Sequence, residues 1–209
     1  MALKATIYKA NLQIADMDRA LYADHGLTLA LHPPATADPR AAPLPAPPPP
    51  AALHPSETEE RLMVRLLAFA LQVPRDDHDG ALQFARGLSD TDEPDLWQHG
   101  LDGSLRHWIE VGQPDERRLT RACGRADRVT LYSYGPAVAV WWNGIRNKLT
   151  RLRNLAVWQI PHAQSQALAA IARRSMQLQC TVQDGHVWIG EGAASVELVP
   201  AALMSPADR

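Results

Sequence analysis

A chain of 209 residues, 46% of them hydrophobic and 21% charged, is long enough to bury a core in one domain, which excludes a fibrous or wholly disordered protein. The formal net charge of −2 supplies no overall attraction to nucleic acid or to a membrane surface. The first residues lack the pattern of a signal peptide, and no stretch has the apolar length of a membrane span. We therefore expect a cytoplasmic protein without a membrane partner, with its two cysteines, Cys123 and Cys180, reduced.

Alternation of apolar and polar residues predicts an N-terminal hairpin over 3–15 and 20–31, with a turn at 16–18. The next segment, 33–55, contains ten prolines and has no periodic apolar face. Such a sequence cannot place its backbone hydrogen bonds in a helix or a sheet, and it is predicted to be an inserted, extended or disordered loop. We expect a single domain over 1–209 that carries this loop.

Two helices have recognisable starting signals. Ser56 and Glu59 have the spacing of a capping box ahead of an apolar stripe that begins at Leu62. Pro114 is predicted at the first position of a second helix, with Asp115 in its first turn.

The remaining elements alternate between strands and helices. Strands are predicted over 129–134, 137–142 and 155–160, helices over 143–152 and 162–177, a hairpin with an Asp-Gly turn at 184–185, and a flexible tail over 204–209. This order predicts an α/β or mixed α+β fold, built around one central mixed sheet that is flanked by helices.

Residues 95–112 are predicted to form a hairpin around the dipeptide Asp102-Gly103, a strong signal for a two-residue turn. In that register the numbers of paired residues sum to 205, as 102 and 103 do, and Asp95 then faces Glu110. Two opposed carboxylates repel each other unless a cation lies between them. The pair therefore predicts a site for Mg²⁺ or Mn²⁺, since hard cations prefer oxygen ligands. The alternative is that Asp95 precedes the strand and points elsewhere.

Pro94-Asp95 followed by Glu110 resembles the motif of the PD-(D/E)XK nucleases. A more specific resemblance covers almost the whole chain and is carried by MALKATIYKANLQIADMDR, SETEERLMVRLLAFAL, GLSDTDEPDLW, HWIEVGQPDERRLTRACGRADRV, VWW, NLAVWQIP and MQLQCTVQDGHVWI. On these residues the chain resembles the YaeQ family. This resemblance implies a restriction-endonuclease-like core, in which a central mixed sheet is flanked by helices. It also implies a loose connection with transcription.

The resemblance assigns roles to individual residues. Asp95 matches the aspartate of the nuclease motif and Glu110 matches its second acid, but Gly112 stands where the motif has lysine. Gln113 or Lys148 would then supply the missing polar or cationic group. Glu60 of the first helix is the expected third metal ligand.

Two functions follow from these assignments. In the first, Asp95 and Glu110 hold Mg²⁺ or Mn²⁺ and the protein is a phosphodiesterase that acts on nucleic acid. Four arginines of the second helix would then either steer the phosphate backbone or form a solvated face: Arg117, Arg118, Arg121 and Arg125. In the second, the absence of lysine at Gly112 marks a catalytically degenerate module that binds protein or nucleic acid.

Overall fold

The computed structural model describes residues 6–31, 58–85 and 92–206, which fold as a mixed α+β protein. In this part of the chain the strands are β1 (Thr6–Asp16), β2 (Leu21–Leu31), β3 (Leu82–Phe84), β4 (Leu96–His99), β5 (Leu105–Val111), β6 (Arg128–Ser133), β7 (Leu155–Gln159), β8 (Ser175–Gln183), β9 (His186–Glu191), β10 (Ala194–Leu198) and β11 (Ala201–Met204). The helices are α1 (Glu59–Gln72), α2 (Glu116–Cys123), α3 (Val138–Leu149) and α4 (His162–Ala170). The predicted loop at 33–55 lies outside the described residues.

The strands form two sheets, so the prediction of one central sheet is wrong. Sheet A has the order β10-β9-β8-β1-β2, and sheet B has the order β11-β7-β6-β5-β4-β3. Both predicted terminal hairpins are confirmed, but they join through a parallel pairing of β1 with β8 that runs from Lys9↔Ser175 to Asp16↔Val182. A pairing between residues so distant in sequence leaves no local signal in either hairpin.

The two sheets enclose a layer of helices. The larger core cluster joins Leu12 of β1 and Leu178 of β8 to Leu66 of α1 and to Ile109 of β5, with Leu168 of α4 in the same cluster. These contacts place α1 and α4 between sheet A and sheet B.

A second core lies on the other face of sheet B. It joins Leu119 of α2 and Leu149 of α3 to Leu131 of β6. Sheet B is therefore covered on both faces, by α1 and α4 on one side and by α2 and α3 on the other, as expected for a sheet with parallel strands. None of the helices within the described residues has the length and hydropathy that a membrane span requires.

The first helix begins later than the capping box predicted. Thr58 is its N-cap, because the Thr58 side chain accepts a hydrogen bond from the backbone N–H of Arg61. The prediction that Glu59 closes a capping box is therefore wrong: Glu59 is the first helical residue, and its carboxylate accepts a hydrogen bond from the Tyr8 hydroxyl. Ser56, the other predicted member, lies outside the described residues.

The strand predicted over 137–142 is wrong, since these residues lie at the start of α3. The alternating Ala and Val residues suggested a strand, but the buried positions of α3 are Val138, Ile145 and Leu149, which have helical spacing.

Three further predicted boundaries differ from those in the structure. The helix predicted over 162–177 ends at Ala170, because Ser175 already begins the alternating burial of β8. Met204, the first residue of the predicted tail, pairs with Val157 at the edge of sheet B. The second helix begins at Glu116 with Asp115 as its N-cap, two residues after Pro114.

The role of Thr58 is testable by substitution. Thr58→Ala removes the hydroxyl that accepts the hydrogen bond from the backbone N–H of Arg61. The substitution should lower the free energy of unfolding by about 1 kcal/mol. Thr58→Ser keeps a hydroxyl at the N-cap and should change stability much less. Urea unfolding of the two variants measures the difference, and equal stabilities would contradict the assignment of the cap.

Candidate carboxylate site

The hairpin of β4 and β5 sets the positions of both candidate acids. The predicted register is confirmed for Leu96↔Ile109, Trp97↔Trp108 and Gln98↔His107. It then shifts by one residue at His99↔Leu105.

The two-residue turn predicted at Asp102-Gly103 is wrong. The backbone N–H of Gly100 donates to the Ser104 carbonyl, which closes a longer loop. Of the two turn residues, only Gly103 has a positive φ, 80°. The Asp102 carboxylate instead accepts hydrogen bonds from the backbone N–H and the hydroxyl of Ser104. The register survives near the acids because the irregularity at His99 absorbs the longer loop.

Asp95 directly precedes β4 and is 1% exposed. One of its carboxylate oxygens lies 2.6 Å from Nη2 of Arg61 and 3.4 Å from Nε of Arg65. The other accepts a hydrogen bond of 2.7 Å from the backbone N–H of Val111. Both oxygens of this buried carboxylate are thus already held by donors of the protein.

The two arginines come from one face of α1. Arg61 and Arg65 lie four residues apart, so both side chains point toward sheet B. Arg61 also donates through Nη1 to the Val111 carbonyl at 2.6 Å, and Arg65 lies over the Phe84 ring. Asp95 and Arg61 together hold both backbone groups of Val111, the last residue of β5.

Glu110 has a different set of partners. Its carboxylate accepts hydrogen bonds from Nε1 of Trp108 at 2.7 Å and from Nε of Arg118 at 2.8 Å. Burial raises the pKa of the Glu110 carboxyl to about 7, and the charge of Asp95 acts in the same direction. Arg118 and the Trp108 N–H favour the charged form but do not offset burial.

The two acids approach sheet B from opposite faces. Ile109 and Val111 belong to the core beside α1, so the strand alternation turns Glu110 between them toward α2. Asp95 instead meets the arginines of α1. Among the described residues, no three His, Cys, Asp or Glu side chains come together in a group that could hold a metal ion. The acids as placed do not fit Mg²⁺, because donors of the protein already hold both oxygens of Asp95 and one oxygen of Glu110.

The other predicted site residues lie in separate surroundings. Glu60 accepts a hydrogen bond from the Ser165 hydroxyl of α4, Gln113 donates to the Tyr134 carbonyl, and Lys148 pairs with Glu116 of α2. Of the predicted site residues, Asp95 and Glu110 lie close enough for the charge of Asp95 to act on Glu110, although they occupy opposite faces of the sheet. Glu60, Gln113 and Lys148 have other partners.

Gly112 has a φ of +114°, a conformation that side chains with a Cβ rarely adopt. A Cβ at this position would lie 3.3 Å from Nη1 of Arg61. A lysine here would strain the backbone and press on the arginine that holds Asp95.

Two arginines of α2, together with Arg125 just after the helix, bind the segment before β4. Arg118 donates to the Glu93 carbonyl, Arg121 pairs with Asp92, and Arg125 donates to the Asp92 carbonyl while lying over the Trp108 ring. Three of the four arginines that were predicted to steer a phosphate backbone thus have partners within the protein. These contacts favour a structural role for them over phosphate binding.

Sequence reasoning missed Arg61 and Arg65, the residues that determine the state of Asp95. The sequence did contain a signal for them. Both arginines lie among the apolar residues of α1 that face the core, and a buried arginine needs an acidic partner.

These features define a mixed α+β protein of two sheets whose paired acids are held by arginines. The chain belongs to the YaeQ family: a family model described as "YaeQ protein" matches residues 1–40 and 50–200. Proteins named "Uncharacterized protein YaeQ" from Salmonella typhi and Escherichia coli K12 are each 39% identical over 207 residues, covering 99% of this chain and 99% of theirs.

Two solved structures share the fold. The crystal structure of YaeQ protein from Xanthomonas axonopodis pv. citri is 42% identical, with a TM-score of 0.79, and the match covers 97% of this chain and 100% of that one. The crystal structure of YaeQ protein from Pseudomonas syringae is 33% identical, with a TM-score of 0.78, covering 96% and 97%.

Removal of Asp95 should strongly destabilise the protein. Asp95→Ala leaves the buried Arg61 and Arg65 without their carboxylate, and we expect the free energy of unfolding to fall by about 3–5 kcal/mol. If Asp95 only faced Glu110, removing its carboxylate would relieve the repulsion between the two acids and raise the free energy of unfolding. Asp127→Ala, which removes the exposed partner of Arg106, is the control and should change stability little. Equal effects in urea unfolding would contradict the account.

Glu110 should make stability depend on pH. Its folded-state pKa of about 7 lies above its usual value of 4.5, so between these values the folded protein holds more protons than the unfolded chain. The stabilisation that protonated Glu110 gives to the fold is therefore complete below pH 4.5 and is lost as pH rises through about 7. Glu110→Gln removes this titration, and the stability of the wild type relative to Glu110→Gln should fall from about pH 5 to about pH 8. A constant or rising difference would contradict the raised pKa.

Proposed function

We propose that this protein is a catalytically silent interaction module of the cytoplasm, built on a nuclease-like core in which arginines have taken the place of a metal ion. The observation that carries the proposal is the contact of Arg61 with Asp95, 2.6 Å between Nη2 and Oδ1. A guanidinium at that oxygen neutralises the carboxylate and fixes it to α1. The carboxylate then stabilises the fold instead of binding a cation with an attacking water.

Gly112 supports the same proposal. Its positive φ and its proximity to Arg61 favour glycine at the position where the nuclease motif has lysine. Neither Gln113 nor Lys148 replaces that lysine, since the Gln113 amide donates to Tyr134 and Lys148 pairs with Glu116 at 3.1 Å. The residues that would orient a water molecule in catalysis thus have other contacts.

The positions of the acids and of the outer helices favour an interaction module over an enzyme. The acids lie inside the molecule, whereas α2 and α3 lie on the outer face of sheet B. A role beside the transcription machinery, as the family resemblance implies, would use such an outer surface rather than the acids.

Metal titration tests the proposal directly. The wild-type protein should show no saturable calorimetric binding of Mg²⁺ or Mn²⁺ and no cleavage of DNA or RNA, because Arg61 and the Val111 N–H hold the two oxygens of Asp95 and Arg118 holds one oxygen of Glu110. Asp127→Ala, which removes an exposed acid, corrects for weak surface binding of the ions.

The opposite result would establish the alternative, a metal-dependent phosphodiesterase. It consists of saturable Mn²⁺ binding and cleavage by the wild type, both lost in Asp95→Ala and in Glu110→Ala. Circular dichroism of each variant at the assay temperature separates loss of a site from loss of the fold.

A further inference from the structure

The charges are distributed unevenly along the chain. Residues 128–183 contain seven arginines and lysines and no aspartate or glutamate, although the whole chain has 23 acidic residues against 21 basic ones. The acid-free segment includes α3 and the turn that leads into β7. Four of these seven basic residues lie on α3 and in the turn after it, on the outer side of sheet B: Arg146, Lys148, Arg151 and Arg153.

Most of α3 faces solvent. Its buried positions are Val138, Ile145 and Leu149. We use the name α3 basic face for a set of exposed polar and basic residues of α3 and of the turn after it: Asn143, Arg146, Asn147, Arg151 and Arg153.

The arginines of the α3 basic face differ from those of α2. The side chains of Arg146, Arg151 and Arg153 form no ion pair or hydrogen bond within the described residues, whereas that of Lys148 on the flank of α3 pairs with Glu116. Basic residues in the last turn complement the helix dipole, a role that Arg146 and Lys148 already fill. Arg151 and Arg153 lie beyond the helix and serve no such purpose.

The chemistry of the face favours nucleic acid over a membrane or an apolar protein surface. Val140, at 78% exposure, is the one large hydrophobic residue of α3 that is fully exposed, so this helix has no continuous apolar side to insert into lipid or to form the core of a protein interface. Interfaces with DNA are polar and strongly positive. Arginine and asparagine side chains are suited to phosphate oxygens.

Duplex DNA fits better than a single strand. Trp142 packs with Trp141 against the core, with ring centroids 5.9 Å apart, so it does not offer a free ring on which bases would stack. An exposed helix fits the wide major groove of B-form DNA but not the narrow one of A-form RNA.

We propose that the α3 basic face binds the phosphate backbone of duplex DNA. This inference rests on the proposed function, because it takes binding without cleavage as the activity. It assigns the contact to Arg146, Arg151 and Arg153, on the side of sheet B that faces away from α1 and Asp95.

Fluorescence anisotropy of a short labelled DNA duplex tests the assignment over a range of salt concentrations. The wild type should bind, and its affinity should fall as salt rises, because bound phosphates release counterions. The triple variant Arg146→Gln/Arg151→Gln/Arg153→Gln should bind at least about tenfold more weakly, with a slope of log K against log salt reduced by about 3.

A second triple variant is matched in charge. Lys9→Gln/Arg173→Gln/Arg174→Gln also removes three exposed positive charges, but at the start of β1 and β8 in sheet A. It should keep the wild-type slope. The assignment would be overturned by no binding to duplex, by equal losses in both variants, by tighter binding of single-stranded RNA, or by binding only to vesicles that contain phosphatidylserine.

The same samples, incubated with Mn²⁺, separate the two proposals. Cleavage of the duplex would overturn the proposed silent function, and the comparison of the two triple variants would still decide whether α3 is the binding face. If the duplex binds through the α3 basic face and is not cleaved, the result supports both proposals.

Discussion

The buried contact of Asp95 with Arg61 and Arg65 links the parts of this molecule on which its function depends. It joins α1, which packs between the two sheets, to the first residue of the β4–β5 hairpin and to the end of β5. Burying these charges is unfavourable by itself and is tolerated because every carboxylate oxygen has a donor. The same donors exclude a cation from the carboxylate. The contact that stabilises the core is thus the same one that, in the proposed function, keeps a cation from Asp95.

The backbone at Gly112 extends this constraint to the chain that follows. Arg61 binds the Val111 carbonyl, and the next residue turns away with a positive φ that only glycine adopts easily. The chain then reaches the N-cap of α2 at Asp115, and Arg118 of this helix binds Glu110 from the other face of the sheet. Each acid is therefore held by the helix on its own side of the sheet.

The sequence predicted the parts of this arrangement that depend on neighbouring residues. The terminal hairpins, the strand that became β6 and the pairing of Trp97 with Trp108 followed from alternation and from turn residues. The union of β1 with β8 was not predictable, because it depends on contacts between distant segments. The metal site was inferred by placing Asp95 opposite Glu110 without considering α1. A register fixes which residues are neighbours, but the donors around a carboxylate come from tertiary packing.

The central claim, that arginine has replaced a cation at Asp95, is tested most directly by diffraction from a crystal soaked in Mn²⁺, with data collected at an energy where manganese scatters anomalously. The account predicts that no anomalous peak lies between Asp95 and Glu110 and that Nη2 of Arg61 stays at hydrogen-bond distance from Oδ1 of Asp95, 2.6 Å in this structure. A manganese peak bound by both carboxylates, with Arg61 displaced, would contradict it.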